Sequence, residues 1–343
     1  MNKIKFDIHL NVGKVYRTKK PGSVEMFYSG KEIADFVNHY GITHGVCIYD
    51  KYENLKELMD NTNAKIYGVQ WIVDKDQTLD VGREGWYGIK LHSHRGYRDA
   101  SKYDWTKPKK KGDRGSLSYG LHYSDKYVKD ILVTLPNNSL VYMHTQGWPS
   151  TTNRARPEHL FMLATEFNNL KFIMGHSGMY GGIQSALPGL KEIPSYRPKG
   201  FNVHQRSIRT WGDCVVRFKT SVIYSNLIHN LFLDSSCYTP DKALAYMNCD
   251  RWCIGSDYPF GNNKPRNSEG SVEDSHYTKQ DFEKAHAWNF NKQYDKFSKV
   301  LGEERVQQGF NNAFDYIETP IEVLVETQYE RLNNIKTYIK SNT

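Results

Sequence analysis

Eight short apolar runs, each followed by a helical pattern or a long polar stretch, set the tightest limit on how this chain can fold. They fall at 4–10, 45–49, 65–72, 86–92, 140–144, 171–176, 230–233 and 251–256. Most are continuously apolar, the pattern of parallel strands buried on both faces. Between and after them, helical periodicity marks 31–39, 52–61, 124–135, 157–167, 240–247, 279–301, 303–317 and 321–339. Ser29 is placed to cap the first of these helices and Gly41 to end it. Strand and helix alternate almost to the end, which predicts a single α/β domain of the (β/α)8 (TIM) barrel class. The expected division is a barrel over 1–320 with a C-terminal helix, 321–343, packed on it. A doubly wound open sheet competes. It is disfavoured because only a closed sheet brings the ends of the first and last runs together.

Four of the runs deliver a polar residue of a type that binds metals. Phe6-Asp7-Ile8-His9-Leu10-Asn11 places His9 and Asn11 on one face, since side chains alternate along a strand. Three further runs end in His144, His176 and Asp257. Imidazoles and a carboxylate at several strand ends are how such a barrel assembles a metal or catalytic centre. Three long connections, 93–123, 178–229 and 260–278, leave strand ends on that same side and are expected to form the long specificity loops. Taken singly, His92, His122, His159 and His286 read as surface or structural histidines.

The matching stretches, taken together and in order, resemble the amidohydrolase superfamily. The resemblance is strongest to the branch of mononuclear hydrolases, lactonases and decarboxylases related to aminocarboxymuconate-semialdehyde decarboxylase. Phe6–Asn11 is similar to that family's D-x-H-x-H, and Gly88-Ile89-Lys90-Leu91-His92 to its GxKxH strand. Val141-Tyr142-Met143-His144 corresponds to its fifth-strand histidine. Phe172–Gly178 is similar to xxxGHxG, Leu233-Asp234-Ser235-Ser236 to its seventh strand, and Ile254–Pro259 to xGSDxP. Asn312-Ala313 resembles the closing helix. The likeness runs from Asp7 to about Ile317.

This resemblance implies one divalent metal, zinc before manganese or iron, held by His9, Asn11, His144 and Asp257. It implies Asp257 and His176 as catalytic groups. The reaction would be hydrolysis of a C–N or C–O bond beside a carbonyl by metal-activated water. A non-oxidative decarboxylase is the alternative, and a non-catalytic binding barrel the third reading. The departure is Asn11, which stands where the family has a second histidine. Three outcomes stay open: a metal with an asparagine ligand, a weaker site filled by a different ion, or a centre without metal. His176 could compensate by joining the ligands. Lys90 and His92 share a strand face and, with Trp148, are candidates for contacting substrate. Arg95, Arg98, Arg154 and Arg209 lie in or near the mouth loops. Lys90 reads equally well as the partner of Asp257 or Asp7.

Composition narrows the setting. A hydrophobic content of 38% fits a globular chain of 343 residues. The net charge of +8 leans towards a small anionic substrate, but it is scattered, so nucleic acid is not expected. The one dense run, Lys107-Pro108-Lys109-Lys110-Lys111 with Arg114, reads as a solvated loop, or as a guide for an anionic substrate or surface. Five cysteines without zinc-ribbon spacing suggest a reduced, cytoplasmic protein. Neither a signal peptide nor a membrane span is expected, and a homodimer is allowed. No nucleophile elbow, Walker loop or dinucleotide fingerprint is present.

Overall fold

The structure, a computed structural model, describes residues 3–15, 26–72, 77–92, 123, 126–145, 157–178, 221–236, 243–244, 246–259 and 289–341. Its centre is a curled nine-stranded sheet. The strands are β1 (Phe6–Val15), β2 (Met26–Tyr28), β3 (His44–Tyr49), β4 (Lys65–Trp71), β5 (Trp86–Leu91), β6 (Leu140–His144), β7 (Lys171–Gly175), β8 (Leu231–Asp234) and β9 (Trp252–Cys253). Their spatial order is β2-β1-β3-β4-β5-β6-β7-β8-β9. Only the β1–β2 pair is antiparallel. All eight apolar runs are therefore strands or contain one.

The short strand β2 is the one the apolar pattern does not announce. It pairs with Gly13–Val15, beyond the point where the apolar run of β1 stops. Tyr28 is buried there while Phe27 is exposed, so the segment carries too little apolar signal to stand out.

The far edge of β1 is also engaged. Ile8 N donates to Ile254 O at 3.0 Å and Asn11 N to Tyr258 O at 2.8 Å. Leu10 and Tyr258 form a parallel bridge. β1 thus has β3 on one side and the segment after β9 on the other, which carries the two ends of the sheet towards each other.

Among the described residues, α1 (Gly30–His39), α2 (Tyr52–Asp60), α3 (Lys126–Leu132), α4 (Pro157–Glu166), α5 (Asn289–Leu301), α6 (Glu303–Glu318) and α7 (Ile321–Ser341) accompany the sheet, and 221–227 are helical as well. At α1 the expected cap forms as a full capping box. Ser29 Oγ accepts from Glu32 N, and Glu32 Oε2 accepts from Ser29 N at 2.8 Å. Gly41 follows with φ of +61°, a conformation that suits a residue without Cβ. Of the helix expected at 240–247, residues 243–244 are helical and a 3-10 turn follows at Tyr246–Asn248, while 240–242 and 245 lie outside the described residues. Only the part of 279–301 from Asn289 onward lies among the described residues. No helix among them is long and apolar enough to cross a membrane.

Burial explains the continuous apolar strands. The outward faces of β1, β3, β6 and β7 pack under the helices: Ile8, Cys47, Val141 and Phe172 have no measurable exposure. Each such aliphatic or aromatic side chain contributes on the order of 2 kcal/mol to folding. The face turned inward is different. It carries Asp7, His9, Lys90, Tyr142 and Asp234, all buried. So many buried polar groups require partners.

Candidate metal centre

Strand alternation supplies these inward groups in pairs two residues apart: His9 and Asn11 from β1, Lys90 and His92 from β5, Tyr142 and His144 from β6, Asp234 and Ser236 from β8. His176 and Asp257 arrive differently. Both have left-handed backbones, with φ of +60° and +54°. Such residues carry roughly 1–3 kcal/mol of strain, which the surrounding contacts must offset. The turn swings each side chain back over the strand ends.

Asp234 anchors the arrangement. Its Oδ2 accepts from Tyr142 Oη (2.6 Å), Ser236 Oγ (2.6 Å), His176 N (3.0 Å) and His9 Nδ1 (2.9 Å). Its Oδ1 accepts from Ser236 N at 2.7 Å. Burial by itself would raise this carboxyl. The charges of His9 and His176, with the hydrogen bonds from His9 and Ser236, outweigh burial and hold it well below the usual carboxylate range.

With Nδ1 held by Asp234, His9 presents Nε2 to Asp257 Oδ1 at 3.1 Å. Burial raises the Asp257 carboxyl, and the nearby Asp234 charge adds to that. His9, Lys90 and the Asn11 hydrogen bond oppose the rise. Asn11 donates Nδ2 to Asp257 Oδ1 (3.2 Å) and to Tyr258 O (3.1 Å). The Tyr258 carbonyl can only accept, so this amide orientation is fixed, and Asn11 meets Asp257 through its nitrogen. Below them, Asp7 Oδ1 accepts from His9 N and Ser256 N at 3.0 and 2.9 Å. Burial pushes the Asp7 carboxyl up to about 7 despite those bonds.

The other imidazoles form a row. His176 Nε2 lies 3.1 Å from His144 Nδ1, and His176 Nδ1 lies 2.7 Å from Ser236 Oγ. His92 stacks on His144 with ring centroids 3.9 Å apart. Tyr123 holds the strand ends from behind by donating to His144 O and Leu91 O. Lys90 places Nζ 3.9 Å from the centroid of the Tyr142 ring. It is 3% exposed, and its ammonium has no hydrogen bond or ion pair among the described residues. Burial pushes it down to about 7, against the pull of Asp257 and Asp234. It pairs directly with neither Asp257 nor Asp7.

These donors suit a divalent transition metal. His9, His176 and Asp234 each offer one ligand atom within 4.8 Å of the others, and all three are buried. Imidazole nitrogen with carboxylate oxygen is a zinc or manganese donor set. The Ser236 hydroxyl touches all three residues, at 3.2 Å from His9 Nδ1 and closer to the other two. The atoms that face one another there are thus already joined through hydrogen bonds. His9 Nε2 and Asp257 Oδ1 lie on the other side of the His9 ring.

His9, Asn11 and Asp257 come together, as do His92, His144 and His176, and Lys90 is beside them. Trp148, the loop arginines and the basic run at 107–114 lie outside the described residues. Asp234, Ser236 and Tyr142 belong to the centre although sequence reasoning did not single them out as site residues. The alternation that pairs His9 with Asn11 also pairs Tyr142 with His144, and that signal could have found it.

No family model and no curated protein matches the chain. Among solved structures, it is similar to an amidohydrolase from Burkholderia multivorans with bound zinc (8% identity, TM-score 0.49, covering 91% of this chain and 99% of that one). It is also similar to 2,6-dihydroxybenzoate decarboxylase from Rhizobium (12%, 0.47, 92% and 98%). A third is dihydroxybenzoic acid decarboxylase from Polaromonas sp. JS666 with bound manganese and the inhibitor 2-nitroresorcinol (12%, 0.47, 93% and 97%).

Proposed function

We propose that this chain is a metal-dependent hydrolase of the amidohydrolase type, cleaving a C–N or C–O bond next to a carbonyl in a small anionic substrate. The observation that carries the reading is the oriented His9: Asp234 fixes Nδ1, and Nε2 faces Asp257 across 3.1 Å. A carboxylate behind a histidine is how metal-binding imidazoles are commonly held. The ordered strand-end motifs support the family. Eight parallel strands, with β1 bonded on both sides, support a closed (β/α)8 barrel. The barrel unit is placed in 1–320, with 321–343 as a helix laid on it. Buried Ile321, Leu324 and Gln328 support that division. Buried free Cys47, Cys249 and Cys253 support a reducing, cytoplasmic setting.

A divalent ion, when bound, supplies Lewis acidity and a water of lowered pKa. His9, His144 and Asp257 would hold it, with His176 beside them. Asn11 would contribute by holding Asp257 rather than through its own oxygen. Asp257 is placed to take a proton from the attacking water and pass it to the leaving group. His176, beside them, would act as a base through its open ring nitrogen. Lys90 would meet an anionic group of the substrate, with His92 flanking it.

The buried Lys90, without an ion pair among the described residues, favours a second reading, a non-oxidative decarboxylase in which that ammonium meets the carboxylate to be lost. Elemental analysis of purified wild-type, His144→Ala and Asp257→Ala protein tests the metal centre. Stoichiometric zinc, manganese or iron is expected in the wild type and only trace amounts in the variants, with unchanged far-UV circular dichroism. Absence of metal and of metal uptake in the wild type would overturn both readings in favour of a non-catalytic binding barrel. Parallel assays for acid release and for carbon dioxide separate hydrolase from lyase.

A further inference from the structure

We propose that Ser236 is a positioning residue that sets the tautomer of His176, so that this imidazole carries its proton on Nδ1 and presents an unprotonated Nε2 to the centre. The argument is a count of protons. Both oxygens of Asp234 accept from backbone amides, Oδ1 from Ser236 N and Oδ2 from His176 N, so this carboxylate serves as acceptor. The Ser236 hydroxyl donates its single proton to Asp234 Oδ2 at 2.6 Å. Towards His176, 2.7 Å away, that oxygen therefore acts as acceptor, and the proton between them belongs to His176 Nδ1. His9 is fixed more directly, because its Nδ1 faces Asp234 Oδ2 itself.

The order then passes to the next ring. His176 Nε2, left with a lone pair, lies 3.1 Å from His144 Nδ1, which donates to it. One buried carboxylate therefore orients two imidazoles, one directly and one through a hydroxyl, and a third follows from the second. Tyr142 adds a donor to Asp234 Oδ2, and Ser236 N holds Oδ1, so the carboxylate cannot rotate without losing several bonds. Free imidazole has no such constraint. Without Ser236, His176 Nδ1 loses its acceptor and the proton can move to Nε2, where it would block coordination or acceptance from His144. The tautomer assignment stands on hydrogen-bond geometry alone. Its consequence for ion affinity rests on the metal-centre reading proposed above.

The experiment uses full-length protein with 15N-labelled histidine, treated with chelator, at one fixed mildly alkaline pH. Long-range 1H–15N spectra distinguish protonated from bare ring nitrogens, and a His176→Gln sample assigns the resonance. Wild type is expected to show His176 with a protonated Nδ1 and a bare Nε2. Ser236→Ala is expected to move that signal towards the Nε2-protonated form. A wild-type spectrum with the proton on Nε2 overturns the proposal, even if the variant does not fold. So does a folded Ser236→Ala protein with an unchanged His176 signal. A simple packing role would leave the tautomer untouched. The same samples titrated with zinc against a chromophoric chelator should show affinity reduced about 10- to 100-fold in Ser236→Ala. A tautomer shift with no zinc binding in any sample supports the role of Ser236 and overturns the metal-centre reading alone.

Discussion

Gly255 shows how narrowly the centre is fitted. A methyl group on it would sit 2.2 Å from Asp234 Oδ1 and 2.8 Å from His9 Cβ. Only the bare backbone of the residues after β9 can lie that close to the anchoring carboxylate. Gly255→Ala should therefore push Asp234 off its donors, lower stability by about 1–3 kcal/mol in urea denaturation and reduce metal uptake. An unperturbed variant would show that the packing of this segment against Asp234 is wrong. Legibility differs residue by residue at this scale. His9, His144, His176 and Asp257 stand out because each interrupts or ends an apolar run. Tyr142 does not, because its ring is itself apolar enough to pass for core. Ser236 does not, because a serine after a strand is ordinary loop composition. Their importance comes from Asp234, whose carboxylate reaches three other segments of the chain.

The opposite ends of the elements carry a separate constraint. Lys171 starts β7 and donates Nζ to Ile317 O in the last turn of α6 at 2.7 Å. Burial pushes its ammonium down to about 8, with Glu318 and Glu322 pulling the other way. In the unfolded chain the group keeps its ordinary value of 10.5. Between those values the unfolded state binds more protons, so the contribution of Lys171 to stability grows as pH rises. The stability of wild type relative to Lys171→Met should accordingly shift in favour of wild type from about pH 7 to about pH 10. A difference that stays flat across that range in denaturant titrations contradicts the assigned environment. Helix α1 was readable to its cap, because Ser29 and Glu32 form a local reciprocal pair. The end of the helix expected at 240–247 was not, because tertiary packing decides where the chain turns at Tyr246. Tyr246 is stacked on Trp252, with ring centroids 4.8 Å apart, in a 3-10 turn.

For the molecule as a whole, the decisive bonds are those from Ile8 N and Asn11 N to Ile254 O and Tyr258 O. They join stretches far apart in the sequence and bring His9 against Asp257. If they close the sheet, both amides should resist hydrogen exchange until global unfolding. Exchange followed by mass spectrometry on peptides covering β1 checks this. Fast exchange at Ile8 and Asn11, with slow exchange at neighbouring β3, would mean an open sheet and a dispersed site.

The alternation of strands and helices and the identities of most metal-type residues are legible in the chain's linear order. Apolar periodicity and capping are local properties, written within a few residues of each other. Which atoms of those residues meet is settled by the folded arrangement. That Asn11 offers nitrogen rather than oxygen to Asp257, that Lys90 lies over a tyrosine ring instead of pairing with an acid, and that Asp234 with Ser236 orders the histidines all depend on contacts between distant strands. A hydrogen bond is fixed by direction and distance in space, and the linear order of a chain encodes neither until the sheet has curled.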